Sequence, residues 1–163
     1  MQNILDTVRQ NHALEHATMH LLSRRHPYLR LAGRSTIGGF LIYGPVETQD
    51  VAAAASEALA RLQQGEAYLA VHPRCGTNLA VTAVMAGGAA FGVGVLGRAK
   101  SRLDRLPLAL TAATLAALLA QPLAHKLQER VTTSPDLEGA FIAEISRMER
   151  GRFIIHKVTV GRE

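Results

Sequence analysis

The fold is decided between residues 77 and 124, where the chain reads TNLAVTAVMAGGAAFGVGVLG (77–97), a charged segment (98–105) and LPLALTAATLAALLAQPLA (106–124). The first stretch has 21 residues without an ionisable side chain, and the second has 19. Each is close to the ~20 residues that a helix needs to cross a bilayer. A pair of buried core helices is the alternative. Two adjacent apolar stretches joined by a short charged segment favour a transmembrane hairpin.

The charge pattern indicates a lipid bilayer as the partner of this hairpin. Of the net charge of +5, segment 98–105 supplies +3, from four basic residues and Asp104. Such a cluster is typical of a membrane surface, and no nucleic-acid-binding module is recognisable.

The first 30 residues lack the apolar core of a signal peptide, which predicts that the soluble part is cytoplasmic. Gly88 and Gly92, four residues apart, would allow close helix packing and a homo-oligomer.

The rest of the chain alternates between helical and extended patterns. The predicted elements are a helix at Asn3–Arg25, a strand at Gly39–Tyr43, a helix from Thr48 to Gly65, a strand at Ala67–Val71, a helix from Ser134 to Gly151 and a strand at Phe153–Val160. A strand, a helix and a strand in this order predict a right-handed βαβ unit with parallel pairing.

These elements predict an α+β membrane protein. We expect a small α/β domain of about three strands and three helices, built by both chain ends, with the two-helix transmembrane hairpin inserted between them. Residues 1–76 would form the amino-terminal part of that domain, residues 77–124 the hairpin (77–97 and 106–124), and residues 125–163 the helix and strand that complete the domain.

The first helix carries the motif His-Ala-Leu-Glu-His at residues 12–16. Because residues three and four apart share a helix face, His12, Glu15 and His16 project from one side. They fall on the apolar stripe of the helix, so they need partners when buried. His20 lies off this stripe and is expected at the surface, as are His26 in a loop and His125 and His156 as surface or strand-packing residues.

His-x-x-Glu-His resembles the motif of the inverzincins, the pitrilysin-like zinc peptidases. The resemblance covers five residues and implies that His12 and His16 bind zinc and that Glu15 is the general base. The third ligand of those enzymes, a downstream glutamate, has no counterpart here, because the corresponding region falls in the first apolar stretch.

A third ligand would therefore come from another part of the chain. The turn His72-Pro73-Arg74-Cys75 is the first candidate, because it offers an imidazole and a thiolate. The acidic residues Asp136, Glu138 and Glu144 are the second. Without a metal, His72 would be a polar residue at a strand end, and Cys75, the single cysteine, a small buried apolar residue.

Over most of its length the chain looks like a family of uncharacterised bacterial membrane proteins with a domain of unknown function. The resemblance rests on NHALEHA at 11–17, HPxCGTN at 72–78 and LQxxVTT at 127–133. It implies a place in the bacterial cell membrane and carries no established activity.

Three functional hypotheses follow, of which the first two, from different classes, are favoured. The first is a membrane-anchored, zinc-dependent, peptidase-like hydrolase that acts on a membrane protein or peptide, with Glu15 as catalytic base and His12, His16 and Cys75 or His72 as metal ligands. The second is a non-catalytic integral membrane scaffold or assembly protein whose His/Glu cluster is a structural metal site or a hydrogen-bonded network. Tetrapyrrole ligation is a third, for which the apolar stretches offer no histidine.

Overall fold

The chain folds into two compact units in a computed structural model that describes residues 3–96, 103–151 and 153–163. The α/β unit consists of Met1–His72 and Glu129–Glu163, and the hairpin unit consists of Pro73–Gln128. The elements are α1 (Ile4–Arg25), β1 (Ala32–Thr36), β2 (Gly39–Tyr43), α2 (Thr48–Gln63), a 3-10 turn (Ala67–Ala70), α3 (Gly76–Leu96), a 3-10 turn (Leu103–Arg105), α4 (Leu106–Leu127), a π-helical turn (Gln128–Thr132), β3 (Ala140–Arg150) and β4 (Phe153–Arg162).

Helix α1 begins and ends where its sequence signals predict. The side chain of Asn3 accepts a hydrogen bond from the amide of Leu5 at the amino end, and His26, just before Pro27, is the last capping residue. The buried face runs from Gln10 to Leu22, whereas the first turn, with Ile4 and Leu5, is exposed. The apolar stripe predicted from the sequence is therefore buried only in its second half, which carries the histidine motif.

A four-stranded antiparallel sheet in the order β1-β2-β4-β3 supports α1 and α2. The core between the sheet and the helices contains Leu14, Leu22, Phe40, Ile42, Val51, Leu62, Val158 and Val160. The predicted parallel βαβ unit is wrong, because β2 pairs with β1 on one side and with β4 on the other. The predicted strand at Ala67–Val71 is a 3-10 turn, in which Leu69 N donates to Glu66 O and Val71 N to Tyr68 O.

The predicted helix between Ser134 and Gly151 is also wrong, since most of that segment is strand β3. A bulge between Ile142 and Glu144 shifts its register against β4, and this extra residue disturbs the two-residue alternation that marks a strand in sequence. Gly151, expected to end a helix, turns the chain between β3 and β4 with a φ of +60°. The domain thus has four strands, and β1, short and mostly polar, was not predicted.

The hairpin unit consists of α3 and α4, which pack against each other. Both helices are long and apolar enough to cross a membrane by length and composition. Large apolar side chains such as Leu79, Phe91 and Leu119 are exposed rather than buried, unlike those of a core helix in a soluble protein. Most of the basic segment predicted between the spans, residues 98–102, lies outside the described residues.

His156 on β4 is fully buried beneath α2. Its Nε2 hydrogen-bonds with Thr48 Oγ1 at 3.1 Å, and its Nδ1 has no hydrogen-bond partner among the described residues. Burial lowers the pKa of the His156 imidazole, the positive charge of Arg147 lowers it further, and Glu47 opposes this shift. The expectation of a strand-packing histidine is confirmed.

We expect acidification to destabilise the α/β unit through His156. Because the folded protein lowers the pKa of this imidazole, the unfolded chain takes up the proton first, so stability is lost as the pH falls below about 6.5. Thermal unfolding of the wild type and of His156→Gln at pH 7.5 and 5.5 measures this contribution. The wild type should lose more stability than the variant over this interval, and equal losses would contradict the role of His156.

Candidate metal centre

Helix α1 carries His12, Glu15 and His16 in its buried middle section. His16 is 2% exposed and Glu15 6%, while His12 is half-buried. The rings of His12 and His16 lie edge to face, with their centroids 4.3 Å apart. The sequence prediction that this motif faces the interior of the domain agrees with this burial.

Each of these two imidazoles is oriented by a backbone carbonyl. His12 Nδ1 lies 2.9 Å from Thr132 O, and His16 Nδ1 lies 2.7 Å from Ala70 O. A carbonyl oxygen can only accept, so in the neutral rings we assign the proton to Nδ1 and a lone pair to Nε2. A hydrogen bond from the second ring nitrogen to a backbone carbonyl is typical of histidines that bind metal through the other nitrogen.

Both acceptor carbonyls come from irregular backbone. Ala70 ends the 3-10 turn after α2, and Thr132 ends the π-helical turn after α4. Regular helices use their interior carbonyls for their own hydrogen bonds, whereas the end of a short or distorted turn can offer one to a side chain. Arg9 of α1 holds the π-helical turn next to its own helix. Its Nη2 donates to Arg130 O in that turn at 3.1 Å and to Thr133 O just after it at 3.3 Å.

Two further histidines, His20 and His72, lie beside His16, so that His12, His16, His72 and His20 form a histidine row. The ring centroid of His72 lies 5.7 Å from that of His16 and 4.6 Å from that of His20. His20 is half-buried, and its Nε2 lies 2.8 Å from Val71 O, so the expectation that it is a surface residue is wrong. The sequence did contain a signal for it, because His12, His16 and His20 repeat every four residues on one helix.

The predicted metal ligands His12 and His16 lie in the α/β unit, whereas Cys75, predicted as a third ligand, belongs to the hairpin unit. Cys75 is a buried thiol just before α3, and its Sγ accepts a hydrogen bond from the amide of Thr77 at 3.4 Å. Among the described residues of the α/β unit, the second-choice ligands Asp136, Glu138 and Glu144 belong to no group of three side chains that could hold a metal ion. The roles of the individual residues as ligands stay predictions.

Glu15 packs against the backbone of β1. A Cβ built on Gly33 would lie 2.9 Å from Glu15 Cγ and would overlap Oε1 of the same carboxylate. No side chain larger than hydrogen fits between the strand and this glutamate unless one of them moves. The absence of a Cβ at residue 33 therefore leaves the space that the Glu15 carboxylate occupies.

Gly33→Ala should destabilise the α/β unit by about 1–3 kcal/mol, the usual cost of forcing extra atoms into a packed region. The methyl group would displace the Glu15 carboxylate, which has little room because it is almost fully buried. Chemical denaturation compares this variant with Gly38→Ala, a control in the adjacent turn where an added Cβ meets no atom within 4 Å. Equal stability of the two variants would contradict the packing described.

Comparison with known proteins finds a matching family. The family described as a domain of unknown function, DUF6391, matches residues 7–145. The chain belongs to this family. It is also 40% identical over 136 residues to an uncharacterised protein of Picosynechococcus sp., an alignment that covers 78% of this chain and 66% of that relative.

The chain thus spans slightly less than two thirds of that relative's length. No solved structure matches the chain. The expected membership of an uncharacterised family is confirmed, and the matched region includes His12, Glu15, His16, His20, His72 and Cys75.

Proposed function

We propose that this protein is a membrane-anchored, zinc-dependent hydrolase of the peptidase type. His12 and His16 hold the ion through Nε2, Cys75 supplies the third ligand, and Glu15 is the general base. The observation that carries the proposal is the pair of carbonyl hydrogen bonds at His12 Nδ1 and His16 Nδ1, which leaves a lone pair on Nε2 of each of two adjacent imidazoles.

The donor set suits zinc. Two imidazoles and a thiolate are ligands that zinc accepts in tetrahedral sites, and three protein ligands leave one position open for water or substrate. In such a centre the ion makes a bound water more acidic and polarises a carbonyl. The similarity of His-x-x-Glu-His to the inverzincin motif supports the assignment of Glu15 as the group that takes the proton from the attacking water.

In amide hydrolysis Glu15 would also act as the general acid. As the water oxygen adds to the carbonyl carbon, the carboxylate takes its proton, and it returns that proton to the departing amine when the C–N bond breaks. A membrane protein or peptide near the bilayer is the substrate class we propose. Helices α3 and α4 would anchor the chain in the bacterial cell membrane, with the α/β unit in the cytoplasm.

Cleavage of fluorescently labelled casein by the full chain in detergent tests the proposal. Protein stripped with a chelator should be inactive and should regain activity when one equivalent of Zn²⁺ is added. The variant His125→Ala, changed at an exposed histidine of α4, should behave like the wild type. Zinc-loaded wild type that does not cleave casein, or a His12→Ala variant that cleaves it equally well, would count against the hydrolase.

A non-catalytic scaffold with a structural metal centre is the second candidate. The close contact between Glu15 and Gly33 favours it, because a carboxylate packed against a strand also suits a purely structural role. The two candidates differ in what zinc removal does to the protein. A structural centre predicts a large loss of thermal stability and no hydrolysis, whereas a catalytic centre predicts the loss of hydrolysis.

A further inference from the structure

His20 and His72 are close to the proposed zinc ligands but have no role in the function proposed above. They lie at the other end of the histidine row from His12, with His16 between them and His12. Both are half-buried, whereas His16 is 2% exposed. Two imidazoles that water can reach therefore lie next to the buried ring of His16.

The spacing of these rings suits a shared ion. Two imidazoles that bind one Zn²⁺ at ~2.0–2.1 Å have ring centroids roughly 4.5–5.5 Å apart, depending on the angle at the metal. The centroids of His20 and His72 are 4.6 Å apart. Those of His16 and His72 are 5.7 Å apart, just above this range, so His20 is the better partner of His72 for a shared ion.

The proton positions also favour binding at this pair. His20 Nε2 lies 2.8 Å from Val71 O, so the neutral ring donates from Nε2 and carries its lone pair on Nδ1. This is the same type of carbonyl contact that orients His12 and His16.

Three consecutive residues build the whole arrangement. Ala70 O accepts from His16, Val71 O accepts from His20, and His72 follows as a ring beside both. His72 thus places its imidazole beside the two histidine rings that Ala70 O and Val71 O orient.

We propose that His20 and His72 form a second binding position for a divalent transition-metal ion such as Zn²⁺, weaker than the centre at His12 and His16 and open to solvent. The position rests on the proposed metal centre, because it lies next to His16 and would deliver the ion to it. With two protein ligands, the remaining coordination positions are taken by water, so the ion is held less tightly and can leave again.

Equilibrium dialysis of the full chain in detergent against Zn²⁺, with metal measured by mass spectrometry, tests this inference. The wild type should bind one equivalent tightly and a second at least about tenfold more weakly. His20→Ala and His72→Ala should each lose the weaker equivalent and keep the tight one, and the control His125→Ala should keep both. A wild type with a single equivalent, or a His20→Ala protein that keeps two, would overturn the second position.

The double variant His12→Ala/His16→Ala separates this inference from the proposed function. It should lose the tight equivalent and retain a weak one that His20→Ala then removes. A single tight equivalent in the wild type, lost in the double variant, would overturn the second position and leave the metal centre standing. If His72→Ala fails to fold, as judged by circular dichroism, His20→Ala alone decides the outcome.

Discussion

His12→Ala and His16→Ala should each lose zinc from the purified protein, with the dissociation constant raised by more than about 100-fold. Partners outside the first coordination shell are already worth 10–100-fold in affinity, and removing a ligand costs more. Each substitution also leaves a backbone carbonyl, Thr132 O or Ala70 O, without the ring that it orients. Competition with a chromogenic chelator measures the change.

His125→Ala is the control for this measurement, because His125 is an exposed residue of α4 outside the histidine row. Circular dichroism and thermal unfolding establish that the variants are folded, since His16 is buried and its loss costs packing. Folded His12→Ala and His16→Ala proteins that bind zinc as tightly as the wild type would show that these rings are not ligands.

Glu15→Gln should keep the metal and lose hydrolysis. A positioned general base contributes roughly 10²–10⁴-fold to the rate, and glutamine has the shape of glutamate but takes no proton at neutral pH. The kcat for labelled casein should therefore fall by about that factor while zinc stays stoichiometric. Because the amide is nearly isosteric with the carboxylate, the contact with Gly33 is preserved.

The same substitution on another helix provides the control. Glu57 of α2 forms surface ion pairs with Arg25 and Arg61, and Glu57→Gln removes a carboxylate far along the chain from the histidine motif. Its kcat should equal that of the wild type. If Glu15→Gln also retains full activity, Glu15 is not the base and the structural role that its contact with β1 suggests becomes the better account.

The elements with strong local signals could be predicted from the sequence. Helix α1 has a capping asparagine and a regular apolar periodicity, and α3 and the first 19 residues of α4 carry no ionisable side chain. Strand β3 could not be predicted, because its bulge breaks the alternation and its stability comes from pairing with β4. The order of the strands depends on contacts between distant parts of the chain, which local patterns do not encode.

Part of the candidate site could also be predicted from the sequence, and part could not. The spacing of His12, Glu15 and His16 places them on one helix face, and helix geometry alone gives that result. The carbonyl that His16 contacts is 54 residues away, at the end of a 3-10 turn, and the one that His12 contacts is 120 residues away, at the end of a π-helical turn. No sequence pattern predicts which carbonyl an irregular turn will present, so these contacts could be found only from the structure.

X-ray absorption at the zinc edge of the loaded, full-length protein tests the central claim most directly. Two imidazole nitrogens at ~2.0–2.1 Å and one sulfur at ~2.3 Å are the expected neighbours of the ion. The sulfur should disappear in Cys75→Ser, and the imidazole signal should weaken in His16→Ala. A zinc ion surrounded only by oxygen, or a wild type that holds no stoichiometric zinc to measure, would contradict a metal centre built on His12 and His16.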